Sequence, residues 1–207
     1  MVSLTPEGKI VLTLHHGQHL YSELKFETGL SDRWISKKLG ELVDAGIIKK
    51  SGRWYRLDEP LSVSGYELSL YLRIQAVKIA NELAEEDSVD AVILYGSLAR
   101  GIAHEYSDID LIIVVDGPDS GKQKIRGMIP RLESRYHFTI EPLIFSSKDF
   151  RDNLESQSGG IIFGVAEGYQ ILHDKVGDVS EVLEKRVKEI KGSHEYLEDV
   201  RIWVKTR

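Results

Sequence analysis

Residues 90–115 read DAVILYGSLARGIAHEYSDIDLIIVV, and this stretch decides the fold. Ala91–Tyr95 is a short apolar run that stops at Gly96 and Ser97, the pattern of a strand ending in a tight turn. A helical turn is expected next, and Asp108–Val115 then reads as a second strand. Side chains alternate across a strand, so Asp108 and Asp110 point to one face while Ile109 points into the core. Carboxylates side by side repel unless something neutralises them. Hard oxygen ligands suit Mg²⁺ or Mn²⁺ and do not suit zinc or copper. Gly96 lets a phosphate approach the backbone, Ser97 offers a hydroxyl, and the helix start offers free N–H groups. Paired cations beside an anion cradle are what nucleoside triphosphate chemistry requires, because they hold the attacking and leaving oxygens of an in-line displacement.

Gly96 and Ser97, ten intervening residues, then Asp108-Ile109-Asp110-Leu111 resemble the signature of the DNA polymerase β-like nucleotidyltransferase superfamily. The fuller string, Gly-Ser-Leu-Ala-Arg-Gly from Gly96 followed by Ser-Asp-Ile-Asp from Ser107, is similar to its small bacterial and archaeal members, the minimal nucleotidyltransferases. The resemblance extends over about residues 66–175. It implies a third carboxylate on a later strand. His137–Ser146 is the candidate strand and Glu141 its only acid, where the family more often has aspartate. By the resemblance Glu141 is the general base for the acceptor hydroxyl, a metal ligand, or both; the alternative is a solvent-facing edge-strand side chain. Pro142 lacks a ladder donor, which favours an edge or a bulge. Gly96, Ser97 and Arg100 would bind the nucleotide, and Arg100 could reach either triphosphate oxygens or an acidic neighbour. Lys122 and Arg126, on the helix expected around Lys122–Arg135, face solvent or contact phosphate. Ser107 reads as a turn residue that tethers the loop.

The first 57 residues form a different module. They hold nine Lys/Arg and six Asp/Glu, a surplus of three positive charges in a chain whose net charge is −6. Helices are expected over Pro6–His16, His19–Phe26 and Asp32–Ala45, punctuated by Gly17, Gly29 and Gly46. Two strand-like runs, Ile47–Lys50 and Arg53–Leu57, flank a Ser51-Gly52 turn. Three short helices and a basic hairpin resemble the winged helix-turn-helix family. The resemblance implies a third helix in the major groove of double-stranded DNA, with Arg33 and Lys37 facing the duplex, Trp34 nearby and Arg53 on the wing. Modules of this kind also serve protein interaction and dimerisation, so a homodimer is a further expectation.

The chain has 207 residues, 42% apolar and 29% charged, the composition of an ordinary globular protein. It has no cysteine, which excludes disulfides, thiolate metal sites and a cysteine nucleophile. No apolar run approaches the roughly 18 residues of a membrane span and no signal peptide is visible, so no membrane partner and a cytoplasmic location are expected. The expected architecture is α/β (α+β): a winged helix over residues 1–60, then over 61–207 a minimal nucleotidyltransferase fold with a mixed, mostly antiparallel sheet flanked by helices. A long helix from Tyr66 opens the second part, and an amphipathic helix over Val179–Lys205 closes it. The leading function is transfer of a nucleoside monophosphate from an NTP, ATP first, to a protein or small-molecule acceptor with Mg²⁺ or Mn²⁺. The rival is a transcription regulator whose transferase domain only senses nucleotide or binds a partner.

Overall fold

The computed structural model describes residues 4–58, 65–104, 107–117, 119–156, 160–200 and 202–206. Of a polar linker read over Ser62–Gly65, residues 62–64 lie outside them, as does Gly159 of a break read at Gly159-Gly160. The chain divides into two compact units, Met1–Tyr71 and Leu72–Arg207.

In the first unit, α1 (Pro6–His15) is capped by Thr5, whose hydroxyl accepts from the Gly8 N–H at 3.1 Å, with proline at the helix start. Strand β1 (His19–Leu20) precedes α2 (Tyr21–Thr28), and α3 (Asp32–Asp44) leads into β2 (Ile48–Ser51) and β3 (Trp54–Leu57). The second helix thus starts two residues later than expected. His19 and Leu20 pair instead with Tyr55 and Trp54, and Glu23 accepts from the Leu20 N–H at 2.6 Å to close the helix start. The sheet is antiparallel with order β1-β3-β2. Ile10, Leu14, Leu24, Ile35, Leu39, Leu42, Ile48 and Tyr55 form one core, which the three helices share with the hairpin. His19 is buried against Glu27 at 3.3 Å; burial opposes protonation of the ring, but Glu27 outweighs it and holds the histidine's pKa above its ordinary value.

The second unit takes in most of α4 (Gly65–Ala84), then β4 (Val89–Leu94), α5 (Gly96–Arg100) and β5 (Ile109–Val115). Helix α6 (Asp119–Tyr136) crosses to β6 (Ile140–Ser146), entered through His137 at φ 59°. After α7 (Ser147–Glu155), α8 (Ile162–Glu167) and β7 (Gln170–Asp174) come α9 (Asp178–Ser193), β8 (His194–Leu197) and β9 (Ile202–Lys205). The main sheet has order β6-β5-β4-β7, antiparallel except for the parallel pair β5–β6. Pro142 accordingly lies on an edge strand.

Ala91, Ile93, Ile112 and Val114 turn one sheet face toward Phe150, Leu154, Ile162, Val165, Leu183 and Val187 of α7, α8 and α9. Their neighbours Val92, Leu94, Leu111 and Ile113 are just as buried on the other face. Helices α4 and α6 are tied together by Glu82, which accepts from Arg135 (2.7 Å) and Tyr136 (2.5 Å). A further expectation fails. The final helix ends at Ser193, not Lys205, and the chain folds into an antiparallel β8–β9 hairpin. Strands β8 and β9 alternate in burial, with Tyr196 and Trp203 turned inward and Leu197, Ile202 and Val204 exposed. Among the described residues no helix is long and apolar enough to cross a membrane.

Candidate active site

Strand β4 runs out at Leu94, and the Tyr95 N–H still donates to the Asp110 carbonyl at 3.1 Å. The chain then turns at Gly96 with φ +71°, a conformation that side chains resist. A Cβ on Gly96 would also lie 2.8 Å from Cγ of Asp110 and closer still to its carboxylate oxygen. The glycine is required twice over, by its backbone angle and by the carboxyl group pressed against it. Helix α5 follows directly, and the Ser97 N–H lies where it favours the ionised Asp110 carboxylate.

Asp110 lies on β5 and Asp108 two residues before it, with Ile109 fully buried between them. Across the parallel pair Asp110 stands opposite Glu141 of β6. Asp108 lies just ahead of β5, and its charge, like that of Glu141, acts on Asp110. Burial pushes the Asp110 carboxyl up to about 6, helped by the charges of Glu141 and Asp108; the Ser97 N–H and Arg100 offset part of this. Burial likewise pushes the neighbouring Tyr95 hydroxyl up to about 12, with Asp110 and Glu141 adding to it. An all-oxygen donor set with surplus negative charge is what a hard divalent cation fits.

A model of the nucleotidyltransferase domain matches residues 76–163, the segment that holds all three carboxylates and the glycine turn. Two curated relatives come from Methanocaldococcus jannaschii. The candidate protein adenylyltransferase MJ0141 is 37% identical over 76 residues, which are 34% of this chain and 77% of that protein. This chain belongs to the nucleotidyltransferase family. The candidate protein adenylyltransferase MJ1305 is 31% identical over 93 residues, 43% of this chain; the match spans 61% of that relative's length. Among solved structures, a candidate nucleotidyltransferase of Sulfolobus solfataricus aligns over 43% of this chain and 79% of that one, with 23% identity and a TM-score of 0.33.

The remaining expected residues of the nucleotidyltransferase domain fall as follows. Arg100 pairs with an acidic neighbour, Glu167, at 2.5 Å. Ser107 tethers its loop as read: its hydroxyl accepts from the His104 N–H, and its own N–H donates to the His104 carbonyl, both at 2.9 Å. Lys122 is engaged by Asp149 at 2.6 Å and Asp119 at 3.6 Å, so its charge is spent within the fold. Three residues escaped sequence reasoning. Tyr95 was read only as the end of a strand. Arg73 donates to the Leu98 and Ala99 carbonyls at 3.3 and 2.8 Å and so fixes the C-terminal end of the five-residue α5. Glu167 lies 67 positions from its partner Arg100, beyond any local pattern. In the first unit Arg33, Trp34 and Lys37 are exposed on α3 and Arg53 is exposed in the β2–β3 turn; Lys37 lies 3.8 Å from Glu41.

Proposed function

We propose that this nucleotidyltransferase moves AMP from ATP to a hydroxyl of a protein or small-molecule acceptor and releases pyrophosphate. The observation that carries the reading is the register of Asp110 against Glu141, beside Asp108 and against a glycine with no side chain to displace them. Asp108 and Asp110 would hold Mg²⁺ or Mn²⁺, with Glu141 as a third ligand, as the base, or as both. When bound, the cation neutralises triphosphate and carboxylate charge together. The acceptor oxygen forms its bond to the α-phosphorus as the bond to pyrophosphate breaks, and the hydroxyl proton passes to Glu141. The Ser97 hydroxyl and the Arg100 guanidinium bind triphosphate oxygens. The names of the two relatives favour AMP as the group moved and a protein as its acceptor.

The direct test is incubation with labelled ATP and Mg²⁺ or Mn²⁺, alone and in cell extract. Pyrophosphate release with label on an identifiable acceptor is expected. Nucleotide binding with neither product would favour the regulator that only senses nucleotide. Glu141→Gln keeps the side chain's size but cannot take the proton, and is expected to cut the transfer rate by about 10²–10⁴-fold while ATP still binds. If Glu141 is instead a ligand, binding falls with turnover. Unchanged rate and binding in an active preparation would overturn the three-carboxylate reading.

A second reading concerns the first unit, whose three helices and β1-β3-β2 sheet favour a winged helix that binds duplex DNA. Exposed Arg33, Lys37 and Arg53 are its phosphate contacts, and a homodimer would double them. Affinity for genomic duplex fragments is expected to fall steeply with salt. Arg33→Ala with Lys37→Ala should flatten that dependence by about two contacts in the logarithmic slope. A duplex shift insensitive to salt, or none at all, would leave this unit as a protein-interaction module.

A further inference from the structure

Arg100 does not stand alone on its short helix. Its Nη1 meets Glu167 Oε2 at 2.5 Å, and the Tyr196 hydroxyl donates to that same oxygen at 3.1 Å. Both charged side chains are partly buried, 28% and 18% exposed, so the pair is less screened than an ordinary surface ion pair. Glu167 ends α8, where the helix dipole disfavours a carboxylate, so helix stability does not account for it. Gly168 brings the backbones together: a Cβ there would lie 2.8 Å from Arg100 Cγ and 3.5 Å from its backbone N. Its φ of 175° is one any residue adopts, so glycine serves space here and not conformation.

Tyr196 is itself anchored. It packs on Trp203 with ring centres 5.3 Å apart, and the Trp203 indole N–H donates to the Phe163 carbonyl of α8 at 3.0 Å. The C-terminal hairpin thus grips the helix that ends in Glu167. The Arg100 charge in turn acts on Asp110, which places the guanidinium within electrostatic reach of the carboxylates.

We propose that Glu167 is a positioning residue for nucleotide binding: with Tyr196 it holds one edge of the Arg100 guanidinium so that its remaining N–H groups are pre-set for triphosphate oxygens, making the β8–β9 hairpin part of the binding machinery. This rests on the reading of Arg100 as a triphosphate ligand. An arginine already held in place loses less freedom when it meets phosphate, and its planar fork can serve a carboxylate and a phosphate together.

The experiment measures the dissociation constant of Mg·ATP by calorimetry, with KM, kcat and melting temperature, on the full chain. Glu167→Gln is expected to weaken Mg·ATP binding about tenfold, as loss of an ionic hydrogen bond does. KM should rise in step, with kcat within about threefold of wild type. Tyr196→Phe, a milder change that keeps the packing, is expected to weaken binding about threefold. On an Arg100→Ala background Glu167→Gln should add nothing, because the two act through one group. Variants that melt earlier but bind Mg·ATP as wild type would overturn the assignment alone. Tighter binding by Glu167→Gln would also overturn it, by making Glu167 a competitor of phosphate. A wild-type chain that does not bind Mg·ATP overturns the nucleotide reading, and this assignment with it.

Discussion

Asp110→Asn is expected to abolish Mg²⁺-dependent ATP binding and nucleotide transfer, and at the same time to raise the melting temperature of the metal-free protein. Both effects have one origin. The Asp110 carboxyl is pushed up to about 6 by burial and by Glu141 and Asp108, so its ionised form is disfavoured in the folded chain. A carboxyl whose folded pKa is raised favours folding below its ordinary value near 4, and that contribution is lost as pH rises through about 6. At pH 7 the free protein therefore carries a cost of about 1–2 kcal/mol, after discounting for water around a half-buried group. Asparagine keeps the shape without the charge, so the variant should melt a few degrees higher at pH 7 and match the wild type at pH 4. Adding Mg²⁺ should stabilise the wild type and leave the variant unmoved. Thermal melts at the two pH values, with and without Mg²⁺, check this; a variant destabilised at pH 7, or still stabilised by Mg²⁺, would contradict the carboxylate cluster.

Gly96→Ala is expected to cost about 2–4 kcal/mol of stability and at least about 10² in transfer rate. The backbone angle of +71° alone accounts for about 1–2 kcal/mol of this. The rest comes from the new methyl group, which must push the Asp110 carboxyl away from Glu141. Gly101 provides the control. It has a similar φ of +77°, yet a Cβ there meets nothing nearer than Arg73 Nη2 at 3.9 Å. Gly101→Ala should therefore lose only the backbone contribution and keep most of its turnover. Denaturant melts and steady-state rates on both variants separate the two causes. Equal loss of activity in both would show that helix α5, rather than the packing on Asp110, is what Gly96 protects.

The strands of the candidate site were legible because their signals are local. An apolar run stopped by Gly96, and two aspartates two apart, set strand, turn and face within one short stretch. Glu141 came from the family resemblance, which implies a third carboxylate on a later strand; it is the only acid on a strand whose Pro142 marked it for an edge. Everything that depends on distant pairing was not. Nothing around Arg100 announces Glu167, and nothing around Leu98 announces Arg73, since both partners come from helices elsewhere in the chain. His19 and Leu20 look helical until β3 offers them a ladder. The C-terminal hairpin was missed for a related reason: apolar residues over 194–205 also satisfy a helical spacing, and only the packing of Tyr196 and Trp203 decides for strands.

The parallel pairing of β5 and β6 has a consequence for the order in which the molecule is assembled. Antiparallel neighbours can meet through a nearby turn, and β4 with β5 brings Asp108 and Asp110 beside Gly96 early, at small chain separation. Parallel neighbours cannot. The chain must leave β5 at Val115, run the whole of α6 and re-enter at Ile140 before Glu141 can stand opposite Asp110. Closing that longer loop costs more chain entropy, so Glu141 is the costliest of the three carboxylates to bring into register. A slip of one residue on re-entry would carry Glu141 to the opposite side of the sheet. Helix α6 is in this sense a ruler, and the site depends on its length in residues more than on the chemistry of its exposed side chains.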